Sequence, residues 1–238
     1  MRQGLVRLIL LVIVLLVIFG VYRLLTVESI EAGVFFDPAS KPLVFLNPGA
    51  TTDDAASTLA AFAGVQGSGA AGFSAPVSLN SDGQLTVVSD DEGASQPVNL
   101  PALLEEFPDV RFVVQLTEPN LQSLAALLQA VDSQDARGRV LAVVDDQQLV
   151  DTLRAQAPDL ATAMTAAETD SFLLTSRLRL TPFYRPVAPA LLLPADRFSQ
   201  RIANAAHSSG VFVFVISPGD SAAVQRLIDQ GADGVVAQ

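Results

Sequence analysis

The sequence predicts an α/β domain in which short strands alternate with helices about eight times over roughly 200 residues. Three observations predict this class: the alternation itself, helices with apolar residues at helical spacing, and strands that are apolar at nearly every position, such as VFVFVI at 211–216. Such strands are typical of a parallel sheet covered on both faces. Eight units of this size fit a closed (β/α)8 barrel of the TIM type, and an open doubly wound sheet is the alternative, because periodicity does not reveal closure.

In the first half of the domain, apolar runs end at turns or capping residues. Asp53 or Asp54 is suited to cap the first helix, and Asp82-Gly83 is a strong hairpin turn. The predicted elements are, in order, strand Pro42–Leu46, a helix from the capping aspartate to about Val65, hairpin Gly72–Asp91, helix Leu100–Phe107, strand Val110–Leu116, helix Asn120–Val131 and strand Arg139–Val144.

The second half continues the alternation, with its weakest pattern at Leu160–Met164. A looser apolar segment, Thr181–Pro189, interrupts it. The predicted elements are helix Gln147–Gln156, strand Leu160–Met164, helix Ala166–Leu180, strand Ala190–Leu193, helix Arg197–His207, strand Val211–Ile216, helix Asp220–Gln230 and a closing strand within Gly231–Val236.

Composition excludes several classes of protein. The net charge of −11 and the isoelectric point of about 4.4 argue against nucleic acid or an anionic membrane surface as the main partner. The chain has no cysteine, so it forms neither disulfides nor a thiolate metal site. Its single histidine, His207, excludes a multi-histidine metal cage; we interpret it as a packing residue at a helix end.

The N-terminus carries an uncharged apolar run, Leu8–Tyr22, flanked by Arg7 and Arg23. The run is shorter than the roughly 20 residues that a spanning helix needs, but apolar neighbours extend it on both sides. The sequence therefore predicts a transmembrane anchor at 1–27, a tether at 28–41 and the domain at 42–238. A cleaved signal peptide is the alternative, although no small-x-small cleavage site follows the run.

The charges around this run predict its orientation. Arg2 and Arg7 precede it, whereas Arg23 is soon followed by Glu28 and Glu31. The positive-inside bias places the N-terminus in the cytoplasm and the domain outside. We therefore expect a single-pass protein of the cell membrane with an extracytoplasmic domain.

Several short motifs share their order and spacing with one known family. They include Ala61-Phe62, Ala157-Pro158-Asp159-Leu160, Ala206-His207 with Gly210, and the closing Gly231-Ala232-Asp233-Gly234. Within the predicted hairpin the matching positions are Val77, Asn80, Ser81, Asp82, Gly83 and Asp90. On these residues, the chain from Pro42 to Gln238 resembles the glycerophosphodiester phosphodiesterase family, whose fold is the (β/α)8 barrel.

The resemblance implies a site whose chemistry is substituted. Family members hydrolyse glycerophosphodiesters with two histidines as acid and base and a divalent metal, Ca²⁺ or Mg²⁺, held by carboxylates. At the positions of the histidines this sequence has Asn47 and Ser89; at the carboxylates, Ser74, Pro76 and Gln115; at the phosphate-facing Arg and Lys, Pro48 and Thr117. These side chains neither exchange protons near neutral pH nor supply charge to a cation. We therefore expect no metal cofactor and no catalysis.

The resulting expectation is a non-catalytic binding or scaffolding module. The candidate binding residues at the barrel mouth are Asn47, Asp90, Gln115 and Asp145. The expected partners are the membrane, through the N-terminal helix, and a membrane protein or a polar lipid-derived ligand. The alternative is an active phosphoric diester hydrolase with a relocated site, for example a metal held by Asp90 and Asp145 at strand ends.

One basic and apolar segment, Leu173–Leu193, is open to two interpretations. It carries Arg177, Arg179 and Arg185 among apolar residues. We interpret it as a helix and loop that cover the barrel. The alternative is a segment that lies on the membrane surface, because basic amphipathic segments do so.

Overall fold

The computed structural model describes residues 34–36, 42–48, 55–67, 70–88, 98–217 and 220–237, and Val14. The predicted anchor at 1–27, apart from Val14, lies outside these residues, as do Ser89 and Asp90. None of the helices formed by the described residues is long and apolar enough to cross a bilayer.

The described residues form nine strands, of which eight are parallel and one is the antiparallel partner in a hairpin. They are β1 (Leu43–Leu46), β2 (Gly72–Leu79), β3 (Leu85–Val87), β4 (Arg111–Leu116), β5 (Val140–Val143), β6 (Ala161–Thr162), β7 (Ala190–Pro194), β8 (Phe212–Ser217) and β9 (Gly234–Ala237). Their spatial order is β6-β5-β4-β2-β1-β9-β8-β7, with β3 paired to β2.

The two ends of this order, β6 and β7, also meet. A single parallel bridge joins Ala163 to Ala190, and the Met164 N–H donates to the Ala190 carbonyl at 2.8 Å. The sheet is therefore a nearly closed eight-stranded barrel, as in the TIM fold, rather than an open sheet. The pairing between β6 and β7 is limited to this bridge because β6 has only two residues. These residues lie in the stretch whose sequence has the weakest strand pattern.

Helices follow the parallel strands and cover the outside of the barrel. They are α1 (Ala55–Gln66), α2 (Leu100–Glu106), α3 (Leu121–Ser133), α4 (Gln147–Gln156), α5 (Ala166–Arg177), α6 (Gln200–Ser208) and α7 (Ser221–Asp229). Side-chain caps start several of them: the Asn120 amide oxygen accepts from the backbone N–H of Gln122 and Ser123, and Asp146 accepts from Leu149, each at 2.9 Å.

Two predicted helices are longer than those observed. The helix predicted to reach Leu180 ends at Arg177, because Arg179 takes the left-handed φ of 58° and turns the chain away. The helix predicted from Arg197 begins at Gln200, because Ala195–Arg197 forms a separate 3₁₀ turn. The other predicted helices agree with the structure to within one or two residues.

The predicted hairpin is confirmed as the antiparallel pair of β2 and β3. The Asn80 carboxamide oxygen accepts from the backbone N–H groups of Asp82 and Gln84 at 3.0 and 2.9 Å. Gly83 has a φ of 76°, which glycine adopts without steric cost. The strand β2 thus serves both the barrel and the hairpin.

The N-terminal end of the barrel is filled by aromatic rings, two of which come from a 3₁₀ turn before β1. Within that turn, Val34–Phe36, the side chains of Phe35 and Phe36 are each 1% exposed. Phe36 stacks on Phe212 with ring centroids 4.6 Å apart. The prediction that 28–41 is only a tether is therefore amended: the rings of Phe35 and Phe36 belong to the cluster that fills the barrel interior, together with Phe45 and Phe214.

Candidate functional site

The mouth of the barrel lies at the carboxyl ends of the strands, and side-chain alternation decides which residues face it. Phe45 of β1 and Val113 of β4 pack in the cluster that fills the barrel interior. Two residues further on, Asn47 and Gln115 follow on the same inner face. Two candidate residues predicted from the sequence are thus directed to the mouth.

The strand β2 adds two further inward positions. Phe73, Ala75 and Val77 pack outward against the helices, so Ser74 and Pro76 face the interior. In the parallel register between β2 and β4, Ser74 lies opposite Val113 and Pro76 lies opposite Gln115. The structure therefore brings Ser74, Pro76 and Gln115, the three positions to which the sequence resemblance assigned metal ligands, onto adjacent strands of the barrel.

The chemistry at these positions is polar but uncharged. Ser74 is 4% exposed, and Asn47 and Gln115 are half-buried. The Asn47 backbone N–H donates to the Ala237 carbonyl at 3.1 Å, which places Asn47 at the end of β9. Amide and hydroxyl groups at a half-buried mouth can donate and accept hydrogen bonds, but they do not titrate near neutral pH.

Thr117, at the position of the family's lysine, stabilises the local loop. Its backbone N–H and its hydroxyl both donate to the Val77 carbonyl, at 3.0 and 3.2 Å. At the position of the arginine, Pro48 has no side-chain donor. Neither side chain carries the positive charge that charge-assisted binding of phosphate needs.

Asp145, the carboxylate predicted at the mouth, joins two neighbouring loops. Its Oδ1 accepts from the backbone N–H of Ala166 at 2.8 Å, which links the end of β5 to the first turn of α5. The adjacent Asp146 caps α4. Within the described part of the chain, no three His, Cys, Asp or Glu side chains come together as a metal site. The other proposed acid, Asp90, lies outside that part.

The residues present do not fit the divalent cation that the family resemblance implies. Ca²⁺ takes six to eight oxygen ligands and Mg²⁺ six, with carboxylates supplying the charge. At the three positions that the resemblance assigns to metal ligands, the side chains supply one amide oxygen from Gln115, one hydroxyl from Ser74 and no ligand atom from Pro76. No step through a metal follows from such a donor set.

A polar network on the outside of β6 is absent from the sequence predictions. The Arg154 guanidinium donates to Glu168 at 2.6 and 3.0 Å and to the Thr162 hydroxyl at 3.0 Å. Burial alone would raise the pKa of the Glu168 carboxyl, but hydrogen bonds from Arg154, Gln147 and the Thr165 N–H hold it below its ordinary value. The sequence does contain one indication of this network: Thr165 and Glu168 have the spacing of a capping box, which predicts their contact at the start of α5.

His207 and Ser217 are two further polar residues with distinct surroundings. The His207 Nε2 lies 2.8 Å from the Asp233 Oδ2, and the same oxygen accepts from the buried Val213 N–H at 2.8 Å. His207 lies in the last turn of α6, at the end opposite the mouth, and has a structural role there. The Ser217 hydroxyl, at the end of β8, is buried without a hydrogen-bond partner among the described residues.

Comparison with known proteins finds likeness in structure only. No protein-family profile matches the chain, and no curated protein sequence matches it. Among solved structures, a Silicibacter pomeroyi protein assigned as a glycerophosphoryl diester phosphodiesterase superposes with a TM-score of 0.66 at 17% identity, over 88% of this chain and 93% of that one.

Two further solved structures give the same result. The glycerophosphodiester phosphodiesterase of Agrobacterium tumefaciens has a TM-score of 0.62 at 17% identity, covering 82% of this chain and 94% of its own. A phosphodiesterase of Oleispira antarctica, solved with the product sn-glycerol-3-phosphate, has a TM-score of 0.64 at 16% identity, covering 84% and 94%. This chain therefore has the fold of the glycerophosphodiester phosphodiesterases, as the sequence resemblance implied.

Proposed function

We propose that this chain is a membrane-tethered, extracytoplasmic barrel that binds or scaffolds and does not hydrolyse phosphodiesters. The observation that carries the proposal is the placement of Asn47, Ser74, Pro76 and Gln115. All four lie on the inner face at the carboxyl ends of their strands, where catalytic groups of such barrels sit. The scaffold of a phosphodiesterase is thus combined with side chains that cannot perform its acid–base and metal chemistry.

Hydrolysis of a phosphodiester needs a proton donor, a proton acceptor and stabilisation of the charge that develops on phosphorus-bound oxygens. Asn47 exchanges no proton in the working range. Pro76 supplies no ligand, and Asp145 is held by the Ala166 N–H. The groups at the mouth can instead orient a neutral polar ligand, or the glycerol part of a lipid-derived one, by hydrogen bonds.

The activity test uses the full chain purified in detergent. Glycerophosphocholine and glycerophosphoglycerol are offered with Ca²⁺, Mg²⁺ or Mn²⁺, and release of glycerol 3-phosphate is measured. We expect no turnover above the protein-free control. The alternative function, a relocated hydrolase site, would be established by turnover that disappears in Asp145→Ala or Asp90→Ala, and that result would overturn the proposal.

The binding test uses the same protein and calorimetric titration with glycerophosphodiesters. Loss of one hydrogen bond to a bound ligand weakens binding by roughly tenfold, so we expect that loss in Gln115→Ala and in Asn47→Ala. Asn204→Ala, at an exposed position on α6, serves as the matched control and should bind as the unaltered chain does. Equal affinities of the unaltered chain and the three variants would show that the ligand does not bind at the mouth.

A further inference from the structure

The loop between α5 and β7 presents an unusual surface. Apolar side chains that are about half exposed or more recur along 174–187, the end of α5 and the loop after it, although the domain is acidic overall. They are Leu174 at 59%, Leu178 at 59%, Leu180 at 45%, Phe183 at 52% and Val187 at 50%. We call this surface, with the arginines between these residues, the loop patch.

Along the loop, exposed side chains alternate with more buried ones. From residue 183 to 188 exposure alternates: Phe183, Arg185 and Val187 point to solvent, while Pro186 and Ala188 are buried. The half-buried Tyr184 packs its ring against Phe172, with centroids 5.2 Å apart. This ring contact joins the loop to α5, which carries Phe172.

The charge of the loop patch is opposite to that of the chain. Arg177, Arg179 and Arg185 are exposed, and within the described residues none of their guanidinium groups forms an ion pair. The whole chain has a net charge of −11. Three unpaired cations among exposed apolar side chains match an anionic surface that also accepts apolar groups.

Several acidic groups of the domain are paired with other arginines or lie away from these three. Asp132 and Asp159 are both paired to Arg137, each with a contact of 2.6 Å. Asp109 and Asp135 precede β4 and β5, at least two strands away from β7 in the barrel order. Nearer to β7, Asp170 forms an ion pair with Arg197, and Asp196 lines the cavity that Leu174 and Arg177 also line.

The chain approaches the barrel at the same end. Helices of this fold run back to the N-terminal ends of the strands, so the loop after α5 lies there. Phe36 stacks on Phe212, and the Phe212 N–H donates to the carbonyl of Pro189, the last residue of the loop. The 3₁₀ turn Val34–Phe36 and the end of the loop at Pro189 thus lie at the same end of the barrel, with Val34 itself packed near Gly138 before β5.

We propose that the loop patch docks on an anionic lipid bilayer, so that the barrel mouth opens away from the membrane. This inference rests on the proposed membrane tether, because the tether brings the patch to the bilayer. Apolar side chains of such surfaces enter the headgroup region while arginines contact lipid phosphates. The ligand of the mouth is then one that has left the bilayer.

The test exploits the absence of tryptophan from the chain. The full-length Phe183→Trp variant is reconstituted in vesicles of phosphatidylcholine and phosphatidylglycerol, with and without brominated acyl chains. Leu121→Trp is the matched control, because Leu121 is 70% exposed at the start of α3, on the mouth side. Urea unfolding in detergent verifies that both variants are folded.

Docking predicts a blue-shifted emission of Phe183→Trp that brominated lipid quenches, while the emission of Leu121→Trp is unchanged. Replacing Arg177, Arg179 and Arg185 by Gln, or omitting phosphatidylglycerol, should reduce the quenching, by roughly fivefold in the docking equilibrium per charge. Two outcomes overturn docking but leave the tether intact. In one, both tryptophans are quenched equally; in the other, Phe183→Trp is not quenched although the protein floats with the vesicles. Protein that fails to float overturns the tether and docking together.

Discussion

Phe45 of β1 lies in register with Gly72 of β2, and its ring occupies the space that a side chain on Gly72 would need. A Cβ at residue 72 would lie 2.7 Å from the Phe45 ring and 2.2 Å from the Arg111 carbonyl oxygen. The same relation recurs on β8 and β9, where Phe214 lies in register with Gly234. In both places a ring inside the barrel packs directly on the neighbouring backbone.

Gly72→Ala should therefore destabilise the domain by roughly 3 kcal/mol, because neither the carbonyl nor the enclosed ring can move without disturbing the barrel. Equilibrium urea unfolding measures this loss. The control is Gly64→Ala on α1, where no described atom lies within 4 Å of the new Cβ. That exchange should raise the free energy of unfolding by up to about 1 kcal/mol through helix propensity. Similar effects of both exchanges would contradict the close packing.

The Arg154–Glu168 pair leads to a second prediction. The Glu168 side chain is 9% exposed and that of Arg154 is 19% exposed, so removing one charge leaves the other poorly solvated. Glu168→Gln should lower the free energy of unfolding at pH 7 by roughly 2–4 kcal/mol. The exposed Glu106→Gln on α2 should change it by less than about 0.5 kcal/mol.

The same pair makes stability depend on pH. The pKa of Glu168 is held below its ordinary value of 4.5 in the folded chain. Its stabilisation is therefore fully present above that value and is lost as the pH falls through the lower, folded pKa. Between pH 7 and pH 3 the unaltered chain should lose more stability than Glu168→Gln does, measured by urea midpoints. Parallel losses in both proteins would show that the carboxylate contributes nothing to acid sensitivity.

A fourth prediction concerns Arg179, which adopts a left-handed φ of 58°. Residues with a Cβ lose roughly 1 kcal/mol in this conformation, whereas glycine does not. Arg179→Gly should thus raise the free energy of unfolding by up to about 1 kcal/mol while it weakens lipid contact of the loop patch. Arg177→Gln, in the helix just before it, should weaken lipid contact without that gain. If Arg179→Gly instead lowers the free energy of unfolding, the left-handed conformation of residue 179 does not strain the folded chain.

Much of the fold could be predicted because local patterns carry it. Apolar strands, capping residues such as Asn120 and Asp146, and the Asp82-Gly83 turn act over a few residues, and the predicted helices and strands match the structure closely. Closure of the barrel does not follow from local patterns and was implied by the family resemblance. It depends on one bridge between Ala163 and Ala190, which are far apart in the chain and carry no pattern of their own.

The site was predictable only as far as family motifs place it. Alternation along β1, β2 and β4 directs Asn47, Ser74 and Gln115 inward, which follows from strand geometry once the strands are known. The bond of Asp145 to the Ala166 N–H and the reach of Arg154 across β6 depend on the packing of neighbouring loops and helices. No single stretch of sequence contains that information.

The last prediction tests the aromatic filling of the barrel from residues that precede its first strand. Phe36 is 1% exposed and its ring is stacked on Phe212, with the ring of Phe214 6.1 Å away. Phe36→Ala would leave a cavity at the lower end of the barrel, so the free energy of unfolding should fall by roughly 3–5 kcal/mol. Val34→Ala is the control, since Val34 is 80% exposed in the same turn and its truncation should cost less than about 0.5 kcal/mol. Denaturation in urea separates the two, and an equal, small effect of both would mean that the turn is a dispensable tether and that the core of the barrel begins at β1.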